Sequence, residues 1–448
     1  MVPSTTARSR YPALHHRNFT LIWAGLLVSN MGTWMQNVGQ NWLIYKVTNN
    51  NPIYLGYLGL SFAIPMIVVP PVGGAIADRV NRVKLLYITQ TGSLLLAVLL
   101  AVLTWSGTVQ PLHILVITFA GSLLLAFDNP TRQALIPGLV PREDLMNAVS
   151  LNSATYTGAA LIGPAIAGLL LNIVGAGWLF MINALSYLAV IGALFAMRNV
   201  PTNPPRNTSL ANALFGGFRY VWQHKLLLGL LLLSITASLF GRSYQQLLPI
   251  FADDVWHTGP GGYGALLSAG GAGALIGAFI MSSIREIKRQ GLVLLGSGLI
   301  TCLALAAFAL SPQFIPGLVL LAIVGIAVSV FGTMIATMLQ LDVPSELRGR
   351  VLSLYAITLI GIPSLGSLGI AAVADGLSSD QMGTWARIFD WPLRLVGVQS
   401  LTEHLGKAAG GPRAITLSAI LLTVVLVLSA PALRRVVMAP RQATGALR

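Results

Sequence analysis

The chain has 448 residues, of which 55% are hydrophobic and only 9% are charged, against about 25% charged in a typical soluble domain. With a mean hydropathy of +0.76, the surplus apolar side chains must face lipid, because a soluble protein needs polar groups over much of its surface. This composition excludes a soluble enzyme, a disordered chain and a disulfide scaffold, and the single cysteine, Cys302, permits no internal disulfide and no cysteine metal cluster.

Charged residues are so sparse that the gaps between them count the membrane spans, since a spanning helix needs about 20 apolar residues. A gap of that length predicts one span, and a longer gap with a Gly, Pro or Ser turn near its middle predicts a hairpin of two. The predicted hairpin turns are 106–111, 175–177 and 311–317. With Arg242 allowed inside the fifth, the stretches are 18–45, 47–77, 85–127, 145–197, 226–249, 255–284, 290–341, 351–374 and 414–433. They predict an all-α integral membrane protein with twelve transmembrane helices.

Most of the 27 Lys and Arg residues fall in the two termini and in alternate loops. Basic loops remain on the cytoplasmic side, so both termini are predicted to be cytoplasmic and the protein to be a multi-pass protein of the plasma (inner) membrane. The net charge of +14 is scattered over separate loops and forms no single stripe, so no nucleic-acid partner is expected.

A polar, proline-rich stretch follows the sixth predicted span and reads as a linker. A shift of 203 residues superposes similar positions on each side of it, among them Val140-Pro141 on Val343-Pro344 and Gly163 on Gly366. These matches predict two pseudo-symmetric six-helix bundles, with chance agreement as the alternative. The predicted organisation is a cytoplasmic N-terminus 1–18, an N-terminal bundle 19–197, a linker 198–222, a C-terminal bundle 223–433 and a cytoplasmic tail 434–448.

The loop after the second span, residues 73–84, reads Gly-Gly-Ala-Ile-Ala-Asp-Arg-Val-Asn-Arg-Val-Lys. It resembles the signature loop of the major facilitator superfamily, with Asn81 in place of the family's second Gly. The resemblance implies a cytoplasmic gate that latches one state of the transport cycle. The alternative is a solvated turn that carries orientation charge. The gate residues are Gly74, Asp78, Arg79 and Arg82.

The fifth span resembles the motif of the superfamily's exporters and antiporters. Its small residues allow close helix approach and its proline introduces a kink, although a plain packing seam remains the alternative. The motif residues are Gly158, Gly163, Pro164 and Gly168. Residues 127–148 are similar to the siderophore and multidrug exporters of this superfamily, the branch that contains the enterobactin exporter and macrolide efflux proteins. That resemblance fails at 376–411, where Trp and Arg residues suggest an extracytoplasmic insert with an interfacial helix.

Polar residues recur at helical spacing along the first span, so they share a face that lipid would exclude. They are expected to line a central substrate cavity, with interhelical hydrogen bonding as the alternative. The cavity candidates are Asn30, Thr33, Trp34, Asn37 and Asn41 of this span, together with Asn152, Tyr156 and Asn183.

Asp128 and Arg242 are the only ionisable residues placed within the predicted spans, where a charge is costly and therefore a functional candidate. Asp128 lies about 26 Å into its span at helical rise, near the cytoplasmic rim. With Arg132 it is the proton-coupling candidate, and a structural ion pair with Arg132 or Arg79 is the alternative. Arg242, with Gln245 and Gln246, is the candidate for binding an anionic or catecholate-like cargo, and snorkelling to the outer rim is its alternative.

These patterns predict a secondary active transporter that exports a small amphipathic molecule, a drug or a siderophore-like compound, against an inward proton flux. The alternatives are a cation-coupled importer and, less favoured, a membrane enzyme, for which no convergent cluster of His, Asp, Ser or Cys is visible. The sequence has no nucleotide-binding loop of the Gly-x4-Gly-Lys-Ser/Thr kind. No enzymatic activity, cofactor or metal is expected, and the expected partners are the lipid bilayer, the substrate and the proton, with the chain acting as a monomer.

Overall fold

The structure is a computed structural model that describes residues 11–69, 80–198, 218–284, 287, 289–377, 391–398 and 403–437. Within these ranges the regular structure is helical and no strand occurs. Twelve long helices cover the predicted spans there, and we number them in chain order: α1 Arg17–Val47, α2 Ile53–Val68, α3 Arg82–Trp105, α4 Pro111–Leu135, α5 Leu145–Val174, α6 Ala176–Ala196, α7 Lys225–Gly241, α8 Gly259–Ser283, α9 Gln290–Ala309, α10 Phe314–Asp342, α11 Ser345–Gly376 and α12 Gly410–Val437.

The three predicted hairpin turns coincide with helix ends. The first turn ends at Pro111, the first residue of α4. The N–H of the first helical residue has no partner within the helix, so the proline, which lacks an N–H, costs no helical hydrogen bond. Only Gly175 separates α5 from α6, and its φ of +80° is a conformation that glycine adopts without a side-chain clash. The third predicted turn, 311–317, begins between α9 and α10 and includes the first turn of α10, which starts at Phe314. The turn signals therefore located the hairpins correctly.

Ten of the described helices, α3 to α12, are long and apolar enough to cross a membrane. α1 has 31 residues, but its asparagines and glutamines lower its hydropathy, and α2 has only 16 residues. Large apolar side chains remain exposed on the helices, such as Phe195 at 86% and Leu428 at 74% exposure. Water would make such exposure costly, so these faces are suited to lipid.

The seventh span is present as Lys225–Val255, but its helix is broken. α7 ends at Gly241, and Arg242 has non-helical angles of φ −120° and ψ −20°. The chain continues as a 3-10 turn, Ser243–Leu247, and then a π-helical turn, Phe251–Val255. The Ser243 hydroxyl lies 2.7 Å from Leu239 O, so it satisfies a carbonyl that the broken helix leaves without a partner.

The chain divides into two compact units, one of Met1–Val47 with Ile64–Leu210 and one of Thr48–Ala63 with Ala211–Arg448. The division after Leu210 falls within the stretch predicted as the linker, of which 199–217 lie outside the described residues. The predicted termini lie outside them in part, at 1–10 and 438–448. The assignment of Thr48–Ala63 to the second unit was not predicted.

Several helices in equivalent positions pack in the same pairs in the two units, although the α8–α10 pair of the second unit has no comparable α2–α4 pair among the described residues. In the first unit α1 packs on α5 and α6, and α3 packs on α4 and α6; in the second unit α7 packs on α11 and α12, and α9 packs on α10 and α12. Adding six to each helix number of the first set gives the second set. These shared pairs agree with the predicted pseudo-symmetry of two six-helix bundles, although by contacts the first part of α2 belongs to the second unit.

A glycine at the repeat position makes the corresponding close approach in each unit. A Cβ added at Gly163 of α5 would lie 2.7 Å from Cβ of Trp34 on α1. A Cβ added at Gly366 of α11 would lie 2.9 Å from Cα of Leu239 on α7. Since Cβ atoms essentially never come that close, only glycine permits either contact.

The first part of α2 packs within the second unit. A Cβ added at Gly56 would lie 2.9 Å from Leu368 Cα, and one added at Gly59 would lie 3.0 Å from Ser364 O, both on α11. Two glycines one turn apart thus bring the backbones of α2 and α11 together. This contact explains why Thr48–Ala63 belongs to the second unit.

Residues 391–398 form a short helical segment within the predicted insert 376–411, of which 378–390 and 399–402 lie outside the described residues. Leu393 and Val398 are buried in a cluster with Leu377 and Leu417. Trp391 is 66% exposed. The segment therefore packs one apolar face on the bundle and leaves a tryptophan outside; its position at a membrane surface stays a prediction.

Gly163→Ala should destabilise the protein by about 1–3 kcal/mol, because the new methyl group overpacks against Trp34. Gly158→Ala is the matched control: nothing lies within 4 Å of its added Cβ, so the change should be neutral or stabilising by up to about 1 kcal/mol. Unfolding of the purified variants by a denaturing detergent measures both. Equal effects would show that the α1–α5 contact does not limit packing.

Candidate functional site

Asp128 is the centre of a polar cluster inside the first unit. It lies on α4 and is only 2% exposed. Thr89 Oγ1 donates to Asp128 Oδ1 over 2.7 Å, and Gln90 Nε2 donates to the same oxygen over 2.8 Å. The other carboxylate oxygen forms an ion pair with Nε of Arg132. All three partners offer donors to the carboxylate, which compensates for its removal from water.

The local sequence explains this cluster. Asp128 and Arg132 are four residues apart on α4, so they share a face of the helix. Thr89 and Gln90 are both buried on α3, the helix that packs on α4. The ion pair was one of the two pairings considered from the sequence, whereas Thr89 and Gln90 were missed because no local spacing links them to Asp128.

Of the predicted gate residues, Gly74, Asp78 and Arg79 lie outside the described residues, and Arg82 alone can be placed. Arg82 is the first residue of α3, and its Nη1 donates to Ala134 O over 2.8 Å. This carbonyl belongs to the last turn of α4, where a cation also compensates the helix dipole. Arg82 therefore joins the start of α3 to the end of α4.

A second hydrogen-bonded group in the first unit connects α1 with α6. Asn183 is fully buried, and its Nδ2 donates to Gln36 Oε1 over 2.6 Å. Its side chain is also within 3.3 Å of the Tyr187 hydroxyl, which Thr33 reaches as well. For Asn183 the alternative to cargo binding was an interhelical hydrogen bond, and its bond to Gln36 is of that kind. Gln36 was not among the candidates.

The other cavity candidates of the first unit lie at its surface or partly buried. Thr33 and Asn41 each donate to a carbonyl one turn earlier, Ser29 O and Asn37 O. Such a bond satisfies the Thr33 hydroxyl within its own helix, whereas Asn41 Oδ1 is buried without a hydrogen-bond partner among the described residues. Asn30, Trp34 and Asn152 are partly buried, and Asn37 and Tyr156 are exposed. These side chains can therefore contact a solute, and their role in binding the transported compound stays a prediction.

Arg242 lines a small pocket inside the second unit, with a cavity volume of about 30 Å³. The wall comes from α7, α9, α10, α11 and α12, and its polar members besides Arg242 are Ser234, Ser238, Thr301 and Tyr355. Thr301 lies near the middle of α9, so Arg242 reaches into the bundle at mid-length. Gln245 and Gln246, predicted to accompany it, are not in this wall. Cargo binding and snorkelling to the outer rim both stay predictions for Arg242.

Arg413 corrects the prediction that only two ionisable residues lie within the spans. It stands in the first turn of α12, is 3% exposed, and its Nη1 donates to Leu377 O over 2.9 Å. The predicted span began at residue 414, because the charged residue before it, Arg413, was taken as its boundary. Burial of the guanidinium against the end of α11 moves the start of the helix to Gly410.

No group of three His, Cys, Asp or Glu side chains that could hold a metal ion is present among the described residues.

Twelve helices in two equivalent units, with polar clusters inside each unit, are the architecture of a secondary transporter. The chain matches the family model described as transmembrane secretion effector over residues 8–386. It therefore belongs to this family of the major facilitator superfamily and is a membrane transporter.

Two relatives are known by their transported compounds. The chain is 29% identical over 265 residues to the staphyloferrin A transporter of Staphylococcus aureus, which covers 59% of this chain and 66% of that protein. It is 30% identical over 322 residues to the enterobactin exporter EntS of Escherichia coli, which covers 70% of this chain and 76% of that protein. The match thus spans just under two thirds of the length of the staphyloferrin A transporter.

Solved structures show the same fold at low sequence identity. A bacterial homolog of the human lysosomal transporter Spinster matches with a TM-score of 0.71 and 16% identity, over 93% of this chain and 97% of that chain. The D-xylose-proton symporter matches with a TM-score of 0.62 and 14% identity, over 90% and 96%. At these identities the likeness concerns the fold alone.

The pairing of Asp128 with Arg132 predicts strongly coupled mutations. Arg132→Gln should cost about 3 kcal/mol, because it leaves a buried carboxylate without its cation. Adding Asp128→Asn should restore part of that stability, since two neutral amides can hydrogen-bond in the same place. A double-mutant cycle on detergent-induced unfolding should then give a coupling of about 1–3 kcal/mol. Additive single effects would show that the two side chains act independently.

Proposed function

We propose that this transporter exports a small amphipathic molecule, a drug or a siderophore-like compound, in exchange for protons and by alternating access. Export is favoured by two kinds of observation. One named relative is an exporter of enterobactin and another transports staphyloferrin A. In addition, α5 carries Gly163 and Pro164, the small-residue and proline positions of the exporter-like motif, and Gly163 contacts α1 closely.

Asp128 carries the proposed proton coupling. A carboxylate buried in a spanning helix can bind a proton only by giving up its ion pair, so proton binding changes the contacts between helices. Loss of the pair would free Arg132, whose side chain is 15% exposed against 3% for Asp128. Arg132 can therefore leave the pair toward solvent more easily than Asp128 can. Proton uptake would then alter the α3–α4 contact made by Thr89 and Gln90.

The proposed orientation places both termini in the cytoplasm of the inner membrane, with one chain as the working unit. The basic loops support this orientation. On this arrangement Arg82 would bind α4 at the cytoplasmic end, beside the loop proposed as the gate. The contact of Arg82 with Ala134 O supports that position for the gate, because it ties the end of the loop to α4.

A compound-accumulation panel tests export. Cells that produce the protein should hold less of at least one amphipathic compound than cells that lack it, and a protonophore should remove the difference. Unchanged accumulation of every compound would overturn export, and increased accumulation would indicate import. A difference that survives the protonophore would overturn proton coupling.

Asp128→Asn should abolish the proton-driven part of export, because the amide cannot take up the coupling proton. Transport is normalised to the amount of protein in the membrane, and Asp128→Asn with Arg132→Gln provides a variant whose internal charge is balanced. Asp144→Asn is the matched control: Asp144 lies before α5 and bonds to His16 over 2.7 Å, so its loss should leave export intact. Full export by the Asp128 variants would contradict the coupling role.

A further inference from the structure

Gln90 contributes a buried acceptor that receives no hydrogen bond while Asp128 is ionised. Its side chain on α3 is 1% exposed, and its Nε2 donates to Asp128 Oδ1 over 2.8 Å. The other amide atom, Oε1, is buried and has no hydrogen-bond partner among the described residues. A buried acceptor without a donor costs free energy. This oxygen therefore marks a place where a hydrogen is expected in another state of the cluster.

A second atom without a hydrogen bond lies on the carboxylate itself. Arg132 Nε contacts Asp128 Oδ2 as an ion pair, but the contact lacks hydrogen-bond geometry, and neither atom has a hydrogen-bond partner in the described part of the chain. Oδ1, by contrast, accepts from both Thr89 and Gln90. A proton is therefore expected on Oδ2, because a proton on Oδ1 would displace these two donors.

A protonated Asp128 would need an acceptor for its new O–H group, since a buried donor is costly to leave unpaired. Arg132 cannot provide one, because a guanidinium carries only donors. Leu86 O already accepts from the Thr89 hydroxyl over 3.1 Å. Among the described partners of Asp128, Gln90 offers the acceptor that is free.

An amide and a carboxylic acid are complementary on both sides. The amide N–H donates to the carbonyl oxygen of the acid, and the acid O–H donates to the amide oxygen, so two hydrogen bonds close a ring. The first of these bonds already joins Gln90 to Asp128. We infer that Gln90 completes the proton site: on proton uptake Asp128 Oδ2 donates to Gln90 Oε1, and the two side chains form a cyclic acid–amide pair. The inference rests on the proposed proton coupling at Asp128.

Proton uptake changes the charge of the ion pair from zero to one positive charge. The proton comes from water and forms an O–H bond with Asp128 Oδ2, and no other covalent bond changes. The positive charge stays on Arg132, whose side chain is 15% exposed. Because the acid–amide pair takes the place of the ion pair, Arg132 can leave without exposing a bare carboxyl oxygen to the apolar interior. Release of the proton to water reverses the step.

The neighbouring titratable groups keep their charge state while Asp128 binds a proton. Tyr187 on α6 is close enough to interact electrostatically with both Asp128 and Arg132, but a tyrosine is neutral where carboxylates titrate. Arg82, at the start of α3, donates to the last turn of α4 and stays charged, as Arg132 does. The titration of this cluster is therefore that of Asp128.

Infrared difference spectra of the full-length protein test the pair without any transport. The protein is made by cell-free synthesis with a heavy carbon isotope in the side-chain amide of glutamine, placed in phosphatidylcholine nanodiscs, and measured before and after acidification. A carboxylic acid band that depends on Asp128 should appear. With it a glutamine C=O band should move to lower wavenumber, because the Gln90 oxygen gains a hydrogen bond.

Two variants assign these bands. Asp128→Asn should remove both the acid band and the amide shift. Gln90→Met should remove the amide shift but keep the acid band, which should move to higher wavenumber because the acid loses its partner. If Gln90 only donated to the carboxylate, protonation would weaken its N–H bond, and the C=O band would stay in place or rise. Either of those results, or a downward amide shift that persists in Gln90→Met, would overturn the pair.

Should Gln90→Met fail to fold, Gln90→Leu takes its place, and labelled wild-type protein against Asp128→Asn still decides. A downward amide shift that is lost in Asp128→Asn supports the pair. A downward shift that remains in Asp128→Asn counts against it.

Gln90→Met should also lower proton-driven export about tenfold, because the protonated state loses its acceptor. Gln40→Met is the matched control: Gln40 is a glutamine of α1 that is 5% exposed and lies outside the Asp128 cluster. Its replacement should leave both export and the amide shift intact.

The pair and the proposed function can fail separately. An acid–amide pair that depends on Asp128 in a protein without export would refute the proposed function alone. Proton-driven export that requires Asp128, without an amide shift at Gln90, would refute the pair alone. Absence of an Asp128-dependent acid band at every pH at which the protein stays folded would overturn both the pair and the proton coupling.

Discussion

The cost of placing a charge in hydrocarbon governs this structure. Spanning helices satisfy their own backbone groups, so side-chain charges are the main polar groups that still need partners. The chain meets that need in three ways. Asp128 and Arg132 neutralise each other within α4, Arg413 donates to a backbone carbonyl at a helix end, and Arg242 faces a pocket. No Asp or Glu is among the described residues that line this pocket with Arg242.

The two units share a packing plan but differ in their internal charge. Most equivalent helices outside α2 and α8 form equivalent pairs, and Gly163 and Gly366 make the corresponding close contacts. Yet the first unit holds an ion pair in its interior, whereas the second holds Arg242 at a break in α7. The repeat thus preserved the backbone contacts while the polar residues diverged. Proton binding is accordingly proposed for the first unit, whose interior holds the buried carboxylate of Asp128.

The sequence predicted the spans well because membrane thickness imposes a length on each apolar stretch. Turn residues such as Gly175 located the hairpins, because an apolar stretch about twice the length of one span must reverse direction between two helices. The break after Gly241 was not predictable, because helix continuity depends on contacts such as that of Ser243 with Pro363 O on α11. The partners of Asp128 and the position of α2 likewise depend on which helices meet, which spacing along one helix does not reveal.

The proposed proton coupling draws on the membrane potential as well as on a pH difference. An inside-negative potential favours inward movement of a proton, and each elementary charge is worth about 2.3 kcal/mol per 100 mV. The ion pair of Asp128 with Arg132 carries no net charge. Proton binding to Asp128 would leave one net positive charge on this pair, so the membrane potential would act on the step that the pair is proposed to control.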